Sequence, residues 1–184
     1  MVDLLELQKK FILMHLGEGD TAVDFTMGNG HDTEFLSKTV GESGKVYAFD
    51  IQSRAIDNTK KHLKESGCPG NYTLLQVSHD RAREFIDSKI KAGMFNLGYM
   101  PGSGNKKLTT MRKTTMPAVE RAISMLDRDA ILLIAVYPGH AEGEAEGKEL
   151  IEYLGTLDRR LYMVAQFRML NSPSSPFFMI VETK

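Results

Sequence analysis

The chain has one cysteine, Cys68, among 184 residues, and no tryptophan. A single thiol excludes a disulfide framework and a CxxC metal site. Cys68 follows Gly67 and precedes Pro69 and Gly70, so it reads as a turn thiol rather than a nucleophile. Neither charge is in surplus: 23 lysines and arginines face 24 aspartates and glutamates. No global basic field therefore advertises nucleic acid, although a local patch suffices to steer it. No apolar run reaches the ~20 residues that cross a bilayer, and the N-terminal residues lack the basic, apolar and small-residue succession of a secretory signal. We therefore expect a soluble, cytoplasmic protein with no membrane partner. The five histidines show no HExxH pattern and no cysteine partnership, which points to no metal. Repeats, low-complexity linkers and composition breaks are also missing. At this length one domain over residues 1–184 is expected, led by an N-terminal helix within 1–17.

What is present is organised around residues 23–33. Val23, Asp24 and Phe25, with Ala22, form a short β-prone run that reads as a buried strand. Gly28-Asn29-Gly30 breaks it with a tight turn that permits close backbone approach to a ligand. His31, Asp32, Thr33 and Glu34 then open a helix with acids in its first turn. Strand, glycine turn and helix build a nucleotide site at the carboxyl edge of an α/β sheet, where the loop and the first helical amides supply unpaired donors. A dinucleotide fingerprint needs Gly or Ala where this chain has Thr33. Asp24, four residues before Gly28, would repel a pyrophosphate but attract the ammonium of a methionine moiety. Asp50 closes the next apolar strand twenty residues after Gly30, where an acid accepts from ribose hydroxyls. Together these features favour S-adenosylmethionine over NAD. A glycine turn needed for geometry alone, with Asp24 as a cap, is the alternative.

Along the chain, strands are expected at 45–50, 72–77, 94–97, 130–136, 162–170 and 177–181. Helices are expected at 54–66, 80–90 and 144–157, and through Val119, Ile123 and Leu126 with Pro117 in the first turn. The turn at 171–176 joins the last two strands directly, which makes them antiparallel. The expected fold is α/β and Rossmann-like. A seven-stranded, mostly parallel sheet with an antiparallel last strand is the arrangement of class I S-adenosylmethionine-dependent methyltransferases. A reversed last strand disfavours an NAD oxidoreductase.

Several residues could carry chemistry. Asn96 ends the fourth strand, where its amide oxygen and the Leu97 carbonyl offer two acceptors to an amine; Asn96 as a simple strand-end cap is the alternative. Gly98 follows, and Tyr99 supplies a ring face or a hydroxyl. His79, after Ser78 at the end of the third strand, either contacts adenine or faces solvent as a cap. His31 is either near the cofactor or a helix residue without duty, and His140, in Tyr137-Pro138-Gly139-His140, either accepts a proton or is a surface residue. Lys106, Lys107, Arg112 and Lys113 around the following loop either grip phosphates or form a solvated charged loop. Apolar residues on the first helix and the last strands fit either a homodimer face or core.

Five stretches, TMGNGHDT at 26–33, FDIQ at 49–52, Ser78-His79, NLGYMPG at 96–102 and YPGH at 137–140, resemble a bacterial family labelled rRNA methylases and also called YtqB-like or MnmM. The match runs in order along nearly the whole chain. The resemblance implies a class I fold, S-adenosylmethionine as donor, and tRNA rather than rRNA as substrate. It implies N-methylation of 5-aminomethyl-(2-thio)uridine at the wobble position, with loop basics on the anticodon stem-loop. Asp24, Met27, Gly28, Asn29, Gly30, Asp32, Thr33, Asp50, Ile51, Gln52, Ser78, His79, Asn96 and Leu97 would hold the cofactor. Asn96, Tyr99 and His140 would serve catalysis, and Leu97, Gly98, Tyr99, Lys106, Lys107 and Arg112 the substrate. The sequence departs from the family pattern at Val77, where an acid is usual, at Met111, where a base is common, and at Ser174-Ser175-Pro176-Phe177 before the last strand. A methyltransferase for rRNA or for a small-molecule amine, and a cofactor-binding module without catalysis, are the rival readings.

Overall fold

The computed structural model describes residues 3–98, 112–139, 141–172 and 174–184, with the side chain of Arg112 left out. Strands β1 (Thr21–Asp24), β2 (Lys45–Asp50), β3 (Tyr72–Gln76), β4 (Ile90–Leu97), β5 (Leu126–Val136), β6 (Tyr162–Phe167) and β7 (Phe177–Thr183) form one sheet. Its order is β3-β2-β1-β4-β5-β7-β6. The pairs β1–β2, β1–β4, β2–β3 and β4–β5 are parallel; β7 runs antiparallel to both β5 and β6. The crossovers reverse between β1 and β4, so a crevice opens beyond the carboxyl ends of those strands. Helices α1 (Leu4–Leu13), α2 (His31–Val40), α3 (Ser53–Glu65), α4 (Arg112–Met125) and α5 (Ala141–Leu154) accompany the sheet.

Strand β5 shows why the sheet is buried on both sides. Leu132, Ile134 and Val136 join one core cluster with Phe25, Phe95, Val119 and Leu150. Ile131, Leu133 and Ala135 join the other, with Ile12, Leu36, Val40 and Met94. Alternate residues of one strand thus serve opposite layers, which is why its sequence is continuously apolar. The Phe25 and Phe95 rings stack in parallel, 4.3 Å between centroids, under the crevice. Gly93 permits that stack: a Cβ there would lie 2.9 Å from Phe25 Cε2 and 2.7 Å from Leu132 Cδ1.

Helix α1 begins on an Asp3 cap, whose Oδ1 accepts from Leu5 N at 2.9 Å. Its Phe11 ring packs on Phe167 and Phe178, 4.8 and 6.0 Å between centroids, so the helix covers the sheet. His15, just beyond it, contacts Asp129 Oδ1 and Glu182 Oε1, each at 3.1 Å. Leu5, Leu13 and Met14 stay exposed, as do Met163 and Val164 on the edge strand β6. Among the described residues no helix is long and apolar enough to cross a membrane.

Several elements differ from expectation. The helix expected at 80–90 is a short 3₁₀ helix, His79–Glu84. Strand β4 begins at Ile90, because Ala92 and Gly93 are taken up in pairing with Ala22 and Val23 of β1. Strand β5 begins at Leu126, which pairs with Ile90 before a register shift. Asp129, at φ 49°, lies in that irregular stretch, which the polar Asp127-Arg128-Asp129 conceals in the sequence. Pro117 lies inside α4 as its sixth residue rather than in the first turn. A proline there forfeits one helical bond and costs about 3 kcal/mol; Thr115, Ala118, Val119 and Ala122, all buried on that helix, offset it.

Substituting Gly93→Ala presses a methyl group into the Phe25 ring. We expect a loss of about 1–3 kcal/mol, read as a lower denaturation midpoint in urea. An unchanged midpoint would show that the stack yields freely.

Candidate active site

The glycine turn is held from behind by α3. Gly28 and Gly30 adopt φ of 52° and 86°, in the left-handed region that glycine enters at little cost. Gly30 also has no room for a side chain, since a Cβ would sit 2.8 Å from Thr59 Cγ2. Thr59 Oγ1 donates to the Gly28 carbonyl at 3.2 Å, and Asn58 Nδ2 donates to Asn29 Oδ1 at 3.0 Å. Met27, buried, donates its N–H to the Phe49 carbonyl at 2.9 Å and accepts from Gly30 N at 2.8 Å.

In front of this loop lie the acids. Asp24 is 1% exposed. Its Oδ1 accepts from Thr26 N at 3.1 Å and its Oδ2 from the buried Thr33 hydroxyl at 2.6 Å. Burial and the neighbouring charge of Asp32 push its carboxyl up to about 7, against these two hydrogen bonds. Burial also raises the Asp32 carboxyl, which accepts from Asn96 Nδ2. That bond assigns the Asn96 amide: Nδ2 faces Asp32, and Oδ1 is left as an acceptor. The Tyr137 hydroxyl approaches Oδ1 at 3.4 Å, and Thr26 Oγ1 accepts from Asn96 N at 2.7 Å. Asp50 accepts from Gly28 N at 3.1 Å through Oδ2 and from Gln52 N at 2.9 Å through Oδ1. A carboxylate has about four acceptor positions, so Asp50 retains capacity for hydroxyl donors. Ile51 beside it is 59% exposed.

His79 is drawn inward. Its Nδ1–H donates to the Phe25 carbonyl at 3.1 Å, and its ring meets Phe95 edge-on, 5.6 Å between centroids. Burial lowers its pKa, so the ring is neutral, and its shielded Nε2 has no partner among the described residues. Ser78 caps the 3₁₀ helix through its backbone, its carbonyl accepting from Arg81 N at 3.0 Å. Leu97 is buried at the end of β4, with Gly98 following. Tyr99, Lys106, Lys107 and His140, and the Arg112 side chain, lie outside the described residues.

The structure therefore gathers Asp24, Gly28, Asn29, Gly30, Asp32, Thr33, Asp50 and Asn96 at one edge. It adds residues the sequence reading passed over: Thr26 and Tyr137, which hold Asn96, and Asn58 and Thr59, which hold the loop. Thr26 and Tyr137 belong to the short stretches already singled out. Asn58 and Thr59 sit in an ordinary amphipathic helix with no local signal. The site suits a ligand that brings a cation to Asp24 and Asp32, hydroxyls to Asp50, and a donor to His79 Nε2.

Residues 46–182 match the family described as "Putative rRNA methylase". A relative from Arabidopsis thaliana, named tRNA (mnm(5)s(2)U34)-methyltransferase, chloroplastic, is 36% identical over 173 residues, or 86% of this chain. The chain spans 61% of that relative's length, less than two thirds. A crystal structure from Clostridium thermocellum, described as a "putative rRNA-methylase", is 36% identical, with a TM-score of 0.96 over 100% of this chain and 99% of that one. A Streptococcus mutans protein described as "a putative methyltransferase", solved in complex with SAH, is 31% identical, with a TM-score of 0.90 over 100% and 99%.

Unfolded, an aspartate titrates at about 3.9. The folded value of Asp24 is higher, so its contribution to stability is complete below about 3.9 and is lost as pH rises through about 7. The unliganded protein should melt progressively lower between about pH 4 and pH 7, and level off above that. Asp24→Asn should flatten this dependence and raise the melting temperature at the alkaline end, by about 2–4 °C for each kcal/mol recovered. An equal slope in both proteins would remove Asp24 as its source.

Proposed function

The chain belongs to the rRNA methylase family and has the class I methyltransferase fold, and on that premise we propose that it is an S-adenosylmethionine-dependent N-methyltransferase of tRNA. Its substrate is 5-aminomethyl-(2-thio)uridine at the wobble position, and its product the 5-methylaminomethyl form. The modified uridine in the Arabidopsis relative's name supports this choice of nucleoside.

One observation carries the reading: the Asn96 amide is fixed with its oxygen as the available acceptor, beside two desolvated acids. S-adenosylmethionine, when bound, supplies an electrophilic methyl on a sulfonium. Asp24 and Asp32 provide the negative charge for its cationic methionine end. Gly28, Asn29 and Gly30, with Met27 and Thr33 behind them, shape the loop around it. Asp50 takes the ribose hydroxyls, with Ile51, Gln52, Ser78 and His79 around the adenine. Asn96 Oδ1 and the Leu97 carbonyl accept the two N–H bonds of the substrate amine, holding its lone pair outward. A neutral amide suits this task, because a carboxylate at the same place would stabilise the unreactive ammonium. The new N–C bond forms as the C–S bond breaks, and the extra proton leaves the nitrogen, with His140 as its acceptor. Tyr99 packs the uracil beside Gly98, and Lys106, Lys107 and Arg112 meet phosphates of the anticodon stem-loop. We place the reaction in the cytoplasm. Met163 and Val164 on β6 are the surface a homodimer would use.

A deletion strain should accumulate unmethylated 5-aminomethyluridine in its tRNA nucleosides, measured by mass spectrometry. In vitro, Asn96→Ala should lower turnover by about 10²-fold or more while retaining S-adenosylmethionine binding. Loss of a methyl group from rRNA, with tRNA unchanged, would favour the rival assignment that the family's description carries. Full turnover by Asn96→Ala would remove it from the mechanism.

A further inference from the structure

We infer that His31, Glu34 and His62 form a site for a divalent transition-metal ion of the zinc class, between α2 and α3. One ligand atom from each lies within 4.8 Å of the others. His31 and Glu34 are three residues apart on α2 and so share a face. His62 comes from α3, with its Nε2 already 2.6 Å from Glu34 Oε2. The two imidazole rings meet edge to face, 4.6 Å between centroids. Two imidazoles and one carboxylate are a donor set that zinc, cobalt and nickel accept, and three protein ligands leave a fourth position for water.

Two lysines stand beside the cluster. Lys38 binds the other carboxylate oxygen, Oε1, at 2.6 Å. Lys9, from α1, lines the same open groove of about 420 Å³ with His31, Glu34, Phe35 and Thr39. Both cations oppose a metal ion electrostatically. Lys38 keeps to that one oxygen of Glu34, while His62 faces the other. The lysine thus leaves Oε2 as a monodentate ligand. In the metal-free protein the His62 ring N–H donates to Oε2; the metal replaces that proton and draws the three ligand atoms together. Tetrahedral ligand distances are about 2.0–2.2 Å, so the three ligand atoms stand closer together around a bound ion than in the metal-free protein. The linear pattern hides the cluster, because Glu34 and His62 are 28 residues apart on different helices. Occupancy would tie α2 to α3, whose Asn58 and Thr59 hold the glycine turn.

The test is a competition titration of zinc chloride between a chromophoric chelator and the untagged full chain, without cofactor. One zinc per chain is expected, with affinity lowered about 10–100-fold or more in Glu34→Gln and in His62→Ala. Zinc should also raise the melting temperature of the wild type and leave that of His62→Ala unmoved. Circular dichroism checks that both variants fold. Failure of the wild type to compete with the chelator, or equal affinity in wild type and both variants, would overturn the site. Neither outcome bears on methyl transfer, because zinc binding is read with no methyl donor or RNA present.

Discussion

Two carboxyl groups pushed toward their neutral form by burial, with no basic side chain bonded to either among the described residues, are the constraint around which the molecule is arranged. Asp24 is enclosed by β1, Thr26 and Thr33, and Asp32 by the first turn of α2 and Asn96. A charge in such surroundings is costly unless an opposite charge joins it. The raised titration of both groups expresses that cost. A cationic ligand relieves it, so the unliganded protein holds in reserve part of the free energy that binding releases. The same strain explains the amide geometry. Asp32 fixes Asn96 Nδ2, which leaves Oδ1 as the accepting side of the amide.

Everything behind the two acids serves to keep them there. The parallel Phe25–Phe95 stack forms a rigid apolar floor, and Gly93 is small so that the stack can close. The crossing order of the sheet brings the ends of β1 and β4 side by side, which makes Asp24 and Asn96 neighbours although 72 residues separate them in sequence. The glycine turn lies between them, clamped by Asn58 and Thr59. A site of this kind needs such support, because small displacements of reacting groups cost large factors in rate.

Much of this was legible in the sequence. The run 130–136 announces a strand buried on both faces, and the short turn at 171–176 announces the reversed β7. The glycine turn with acids at both strand ends marks the edge where Asp24, Asp32, Asp50 and Asn96 come together. What escaped has physical reasons. Residues 79–90 have a helical pattern, yet Ile90, Ala92 and Gly93 are claimed by strand pairing. Pro117 sits within α4 because buried neighbours extend the helix past it. His15 and His62 lie in ordinary amphipathic patterns, and only the tertiary fold gives them Asp129, Glu182 and Glu34 as partners. Local pattern reports periodicity; it does not report which side chains meet across the fold.

The central claim is that binding the methyl donor completes an acid pair that awaits a cation. Calorimetric titration with S-adenosylmethionine, repeated at one pH slightly below 7 in buffers of different ionisation enthalpy, measures the protons exchanged on binding. Release of a substantial fraction of one proton, abolished by Asp24→Asn, is the predicted result. Binding with no proton release, or with proton uptake, would contradict it.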